Sequence, residues 1–336
     1  MEVFLFAVNA IVPILLLILL GYLLRRTGLL SEAFFREGNR LVFRVALPIL
    51  IYTNVYDVAG LGEIRWDAVL YGLGAVLLIF ALGLAAVLLF VPQKSARGVL
   101  LQCIFRSNFA IIGLPLAGAL GGSEGTRITS LMLAFTIPLF NVLAVISLSV
   151  FGEEGAPRKS AGEILKSIIT NPLILAAAAG LVTLGIRAVL PAGTDGEPVF
   201  TIQRNLPFLY TALQDVGKAT AFLSLVVLGG LLDFSTVRGK TGYLFMGTLG
   251  RVILAPAVGL AGAILLSSAG ILPLSPGDWA CYIALFGSPV AFSSAIMAAE
   301  MGGDADLARQ LVVWTSVCPV VTLFAIVMLF RSVGYL

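Results

Sequence analysis

Long apolar runs alternate with short polar links along the whole chain, and run length is the first structural signal. A hydrocarbon core of ~30 Å takes about 20 apolar residues per helix. Ten such stretches are predicted, at 3–24, 36–56, 67–91, 98–120, 126–151, 164–189, 209–232, 241–269, 277–300 and 307–330. The second and seventh are the least uniform. Arg36, Arg40 and Arg44 interrupt one, and Gln203-Arg204-Asn205-Leu206-Pro207 leads into the other, so both are expected to begin as amphipathic segments at an interface. The pattern predicts an all-α polytopic membrane protein with ten transmembrane helices.

Composition strengthens this reading and removes others. Of the 336 residues, 59% are hydrophobic and 12% charged, far from the soluble average. The first run has no basic region before it and is long enough to be a retained span. The chain has no histidine, which excludes Ser-His-Asp and Cys-His nucleophiles and histidine metal sites. Cys103, Cys281 and Cys318 lie singly inside apolar runs, as small core residues do and zinc ligands do not. The Asp, Glu, Ser and Cys residues form no acid pair or nucleophile with its base at depth, which disfavours an intramembrane lipid enzyme. No catalysis, cofactor, metal or nucleic-acid partner is expected; the surrounding partner is the lipid bilayer.

Lysine and arginine set the direction of threading, because short basic loops stay cytoplasmic. The links after spans 1, 3, 5, 7 and 9 hold Arg25, Arg26, Arg36, Arg40, Lys94, Arg97, Arg158, Lys159, Lys166, Arg238, Lys240 and Arg309. The opposite side holds Arg65, Arg127, Arg187, Arg204 and Arg331. Twelve against five predicts a multi-pass protein of the cell (inner or plasma) membrane with both termini extracytoplasmic.

The two halves correspond weakly but in order. Asn9, Pro13 and Gly21 in span 1 parallel Asn171, Pro172 and Gly180 in span 6, each proline standing eight residues before its glycine. Gly113-Leu114-Pro115 in span 4 parallels Gly287-Ser288-Pro289 in span 9, and Pro138 with Asn141 parallels Pro319 with Thr322. Five spans per half is odd, so the halves, 1–151 and 164–336 joined by a short cytoplasmic link at 152–163, are expected to be inverted repeats, an architecture of secondary transporters. The glycine-proline pairs predict that helices 4 and 9 are broken near mid-membrane, since proline removes a backbone donor and glycine tolerates unwound geometry. Half-helix N-termini carry partial positive charge suited to an anion.

At these residues the sequence resembles the auxin efflux carrier family of membrane transport proteins, whose members include plant PIN carriers and bacterial malate-permease-like proteins. The segments that carry the resemblance are Val12-Pro13-Ile14 through Gly21-Tyr22 with Arg25-Arg26-Thr27-Gly28, Leu41-Val42-Phe43 through Leu47-Pro48, Ser107-Asn108-Phe109 before Gly113-Leu114-Pro115-Leu116, Asn171-Pro172-Leu173 with Gly180-Leu181, and Gly287-Ser288-Pro289 through Ala299-Glu300-Met301-Gly302-Gly303. The asparagine shortly before a glycine-x-proline is the most specific of these. Two departures stand out: Val290 replaces a second proline usual beside Pro289, and a proline usual in span 7 is absent around Phe222. The resemblance implies an elevator carrier, with spans 1, 2, 6 and 7 as scaffold and spans 3–5 and 8–10 as the moving unit. Its helices 4 and 9 would cross at the substrate site. It also implies a small organic anion as substrate, either an auxin-like aromatic carboxylate or a di- or tricarboxylate such as malate, and a homodimer through the scaffold.

Polar residues at depth supply the candidate site: Asn108, Gly113, Pro115, Asn141, Gly287, Ser288, Pro289, Ser293, Arg106 and Arg251. A buried amide is costly unpaired, so Asn108 is expected at the substrate or the crossover, with helix-helix bonding the alternative. Asn141, Ser288, Ser293 and Ser294 divide between the same two roles. Arg106 and Arg251 lie about ten residues into spans 4 and 8, where they either attract a carboxylate or snorkel to the interface. Asp215 and Lys218 share a helical face as a local ion pair. The acids Asp57, Asp67, Asp233 and Glu300 sit near span ends, which leaves no carboxylate proton relay and predicts facilitated transport. A sodium-coupled bile-acid-type carrier and a cation/proton antiporter are the alternatives within transport, and an assembly subunit the alternative outside it.

Overall fold

The computed structural model describes residues 2–57, 65–152, 160–189, 200–232 and 240–336. Arg158, Lys159, Asp233 and Arg238 lie outside the described residues, as do most of the 152–163 link and the side chain of Glu300. The described residues are helical, without a strand.

Local chemistry sets where each helix begins and ends. Helix α1 (Glu2–Arg26) ends just ahead of Gly28, whose φ of 77° favours glycine. Ser31 caps α2 (Glu32–Leu41) by accepting the Phe34 N–H at 3.2 Å. A π turn at Val42–Ala46 then carries the chain into α3 (Leu47–Tyr56). The predicted second span is thus one helical path with a polar first half. Helix α4 (Trp66–Phe90) is followed by α5 (Lys94–Phe105), and after a gap by a π turn at Phe109–Gly113 and α6 (Leu114–Phe151). Gly122 interrupts α6 at φ 60°, ψ −146°, so the predicted link between spans 4 and 5 shrinks to a kink at a single glycine.

Next come α7 (Ala161–Ile169), α8 (Pro172–Val189), the short α9 (Ile202–Asn205) and α10 (Pro207–Leu231). The stretch α11 (Thr241–Leu249), a π turn at Gly250–Leu254 and α12 (Ala255–Ser268) is continuous. Ser275 and Asp278 form a capping box at the start of α13 (Pro276–Gly287), and a second gap separates it from α14 (Ser293–Glu300). Asp304 caps α15 (Ala305–Val317), and α16 (Pro319–Val333) closes the chain.

By length and apolarity six of these stretches can cross a membrane: Glu2–Arg26, Trp66–Phe90, Phe109–Phe151, Pro207–Leu231, Thr241–Ser268 and Ala305–Val333. Leucines and aromatics such as Leu70, Leu78, Leu89 and Phe90 of α4 stay exposed, as lipid-facing side chains of a spanning helix should. The chain is a multi-pass membrane protein.

Two groups of helices emerge from the packing. In one, α1 lies against α10, α3 against α8, and α2 and α3 along α10. In the other, α13 packs on α6, α5 on α4 and α6, α12 on α4 and α13, and α11 on α5 and α15. The groups meet where α1 touches α16 and α6, and where α3 and α8 touch α6. Small residues create the tightest seams, as membrane helices require in the absence of a hydrophobic drive between them. A Cβ on Gly21 would strike the carbonyl of Val226, and one on Gly229 the carbonyl of Ile18, so α1 and α10 touch backbone to backbone. Gly180 of α8 is pressed onto the Val55 side chain of α3, whose Cβ is 2.7 Å from where a Cβ on the glycine would lie. Trp279, Tyr282, Phe105, Phe109 and Phe286, all fully buried, fill the second group.

Candidate functional site

Two helices stop in mid-course and meet at their breaks. Helix α5 ends at Phe105, and Arg106 is extended (φ −86°, ψ 109°); α13 ends at Gly287, and Ser288 is extended (φ −66°, ψ 150°). The two loose segments pair as an antiparallel bridge between Ser107 and Val290. The Asn108 N–H donates to the Pro289 carbonyl at 2.7 Å and the Ala291 N–H to the Arg106 carbonyl at 3.3 Å. Each break thus satisfies backbone groups of the other, the condition for irregular backbone at membrane depth. Thr315 of α15 accepts the Val290 N–H at 3.2 Å.

The second break falls at the predicted Gly287-Ser288-Pro289. The first does not fall at Gly113-Leu114-Pro115 but five residues or more before it. Pro115 has no N–H to donate, and the chain absorbs that loss in the wide turn Phe109–Gly113, where the Leu114 N–H reaches back to the Phe109 carbonyl. Gly113 is needed for a different reason: a Cβ there would lie 2.6 Å from the Phe109 ring and 3.3 Å from Ser288 Oγ.

Beside the bridge lies a cavity of about 250 Å³. Arg106, Ser107, Asn108, Phe109 and Ala110 line it from the first break, and Ala291, Ser293 and Met297 from the second. Ile137, Phe140 and Asn141 of α6, Phe43 of the first π turn, and Asn171 and Leu173 at the head of α8 complete the wall. Of the predicted site residues, the structure brings Arg106, Asn108, Asn141 and Ser293 together here. Gly113, Pro115, Gly287, Ser288 and Pro289 instead shape the backbone behind the wall, and Arg251 lies away from it.

Arg106 is buried, and its Nη2 donates to Asn141 Oδ1 at 3.0 Å and Ser293 Oγ at 3.1 Å while Nη1 lies against Met297 Sδ. All three partners are neutral, and among the described residues no carboxylate pairs with it. The π turn from Phe109 and helix α14 from Ser293 both start at the cavity wall, adding the partial positive charge of two helix N-termini. The Asn108 side chain is buried against the cavity, with no hydrogen bond to its amide among the described residues. The cavity therefore offers a guanidinium and amide groups to an anion, with Phe43, Phe109 and Phe140 as apolar wall.

Arg251 is buried too, but its hydrogen bonds go to backbone. Nε donates to Ser288 O at 2.8 Å, Nη1 to Ile104 O and Phe105 O at 3.1 and 3.2 Å, and Nη2 to Leu285 O and Phe286 O at 3.1 and 2.6 Å. It neither snorkels nor faces the cavity. Ser294 and Ser288 are buried with side-chain oxygens that have no partner among the described residues. Asp215 and Lys218 do form the expected exposed pair, at 3.0 Å.

Phe43, Ser107, Asn171 and Met297 also line the cavity, beyond the site residues that the sequence points to. Asn171 had a signal, its place in the repeat, and its Oδ1 accepts the Leu173 N–H at 2.9 Å. Phe43 also borders a second, wider cavity of about 650 Å³, lined by Arg25, Arg36, Arg40, Arg44 and Arg309, with Glu32 the only acid on its wall among the described residues. Arg25 and Arg36 pair with Glu32, Arg40 with Glu37 and Arg309 with Asp306. Arg44 has no ion pair among the described residues.

A family model described as membrane transport protein matches residues 6–157 and 154–327. The chain belongs to the membrane transport protein family, in agreement with the resemblance that its sequence segments carry. It is similar to a protein of Methanothermobacter thermautotrophicus described as an uncharacterized transporter, with 23% identity over 323 residues, 96% of this chain and 97% of that one. The family is one of membrane transporters, and this chain is a transporter.

Proposed function

We infer that the protein is a secondary carrier of a small organic anion, which binds in the 250 Å³ cavity beside the crossing of the two broken helices. One observation carries the reading: Arg106 is a buried cation on the cavity wall whose protein partners are all neutral. A buried charge without a counter-charge is costly, and a substrate carboxylate on the guanidinium fork would supply what the protein does not. Asn108, Asn141 and Ser293 would orient the carboxylate, and the phenylalanines would receive the body of an aromatic acid. A di- or tricarboxylate such as malate would use the helix N-termini for its further charge.

The same reading takes the helix grouping as an elevator carrier with ten spans in two inverted repeats. What supports it is a symmetry of packing: α1 pairs with α10 as α8 pairs with α3, and the matched glycines Gly21 and Gly180 serve as the contact in each. The group of α1, α2, α3, α8 and α10 would be the scaffold and the rest the moving unit, with both termini outside and the arginine-lined cavity opening to the cytoplasm.

The test is uptake of labelled indole-acetate and labelled malate by proteoliposomes, for wild type, Arg106→Gln and Asn108→Ala. Saturable uptake of one anion that Arg106→Gln removes without loss of folded protein supports the reading. Uptake that survives Arg106→Gln unchanged, or no uptake of either anion by folded protein, counts against it.

A further inference from the structure

The bonding of Arg251 resembles the coordination of a bound cation more than that of a side chain in a core. Its guanidinium sits among five backbone carbonyls contributed by two different helices. Ile104 and Phe105 are the last residues of α5, and Leu285 and Phe286 belong to the last turn of α13. The final carbonyls of a helix have no partner of their own. Each helix end carries about half a negative charge, so two ends facing each other amount to roughly one, which a single guanidinium neutralises. Among the described residues no carboxylate shares in this balance.

The segment that supplies Arg251 is built for close approach. Arg251 lies in the π turn Gly250–Leu254, and a Cβ on Gly250 would meet Ile104 Cγ1 at 2.6 Å. The backbone of this turn therefore lies directly on the end of α5. From there the side chain reaches both helix ends.

We propose that Arg251 is a built-in cation: it fills a carbonyl cage between the ends of the two broken helices, and it holds the breaks in register. The cage is closed to free cations in the wild-type protein. Shortening the side chain converts it into a binding site for a planar monovalent cation, guanidinium, with sodium a poorer fit because it lacks the five directed donors. The inference stands on bonds around the helix ends and does not depend on what the carrier transports.

The experiment is thermal unfolding of purified protein in detergent, for wild type, Arg251→Ala and Arg251→Lys, in choline, sodium and millimolar guanidinium chlorides at equal ionic strength. Wild type should melt at the same temperature in sodium and choline and gain nothing from guanidinium. Arg251→Ala should melt lower by about 5 °C or more, and guanidinium should restore at least half of that loss along a saturating curve. Arg251→Lys, which keeps the charge but not the fork, should fall between them. An Arg251→Ala protein that guanidinium does not stabilise, or that fails to fold even when extracted in its presence, overturns the proposal. Saturable stabilisation of wild type by guanidinium to the same extent as Arg251→Ala overturns it independently, because the side chain would then not be what fills the cage.

Discussion

The backbone N–H of Asn108 donates to the carbonyl of Pro289 across 2.7 Å, so that a residue on one broken helix is held by a proline on the other. The bond belongs to the Asn108 backbone, whereas its side-chain amide is left to the cavity. The two roles are separable by mutation. Asn108→Ala keeps the bridge and should leave the melting temperature within a few degrees while weakening uptake of the substrate anion. Asn108→Pro removes the donor, strands a buried carbonyl at a cost of about 1–3 kcal/mol, and should lower the melting temperature whether or not substrate is present. Equal melting of the two variants would contradict the assignment of the bridge to backbone.

Arg106 and stability should move in opposite directions. Because its partners are neutral, replacing it by Gln relieves a buried cation, and the melting temperature of Arg106→Gln should match or exceed that of wild type. Uptake efficiency should fall by about 10- to 100-fold, the worth of a charge-assisted bond to substrate of roughly 1.5–3 kcal/mol. Arg106→Lys should recover only part of the uptake, since an ammonium lacks the bidentate fork. A variant that melts lower than wild type but transports normally would make Arg106 a structural residue.

The seam glycines give a stability series with an internal control. Gly21→Ala and Gly229→Ala each force a methyl into a carbonyl of the facing helix and should cost about 1–3 kcal/mol. Gly74 of α4 and Gly185 of α8 have nothing within 4 Å of an added Cβ; Ala there should be neutral or stabilising by about 0.5–1 kcal/mol through backbone entropy. Melting curves of the four proteins would decide it, and a Gly21→Ala as stable as Gly74→Ala would dissolve the seam.

Arg44 bears on the rate of approach. It is exposed on the wall of the wide cavity without an ion pair among the described residues, next to Phe43, which borders both cavities. If anions approach through this cavity, Arg44→Gln should raise KM several-fold at low ionic strength and much less at high salt, where exposed charges are screened. A KM that responds equally at all salt concentrations would assign Arg44 a contact rather than a field.

The legible part of this protein is what depends on composition and local backbone chemistry. Apolar run length made the all-helical, membrane-spanning character legible, with six stretches rather than ten long and apolar enough to cross among the described residues, and Gly287-Ser288-Pro289 marked one break because glycine and proline act at their own positions. The other break, at Arg106-Ser107-Asn108, carries no glycine or proline; it exists because Pro289 and Ala291, far away in sequence, bond its backbone. Arg106 and Arg251 likewise look alike in the sequence, each a lone arginine in an apolar run. Their different surroundings, side chains and a cavity for one and five carbonyls for the other, arise from packing between elements 34 to 191 residues apart.

The seam between α1 and α10 has a use for anyone who follows the protein in motion. Where two backbones are in contact, with no side chain between them at Gly21 and Gly229, neither helix can roll or part without breaking van der Waals contact along the line. A pair of spectroscopic probes placed across this line, on the lipid-facing sides of the two helices, should report one unchanging separation through a transport cycle. Against that fixed ruler, distances from α10 to α13 or α5 can be read as true displacement rather than as breathing of the whole molecule.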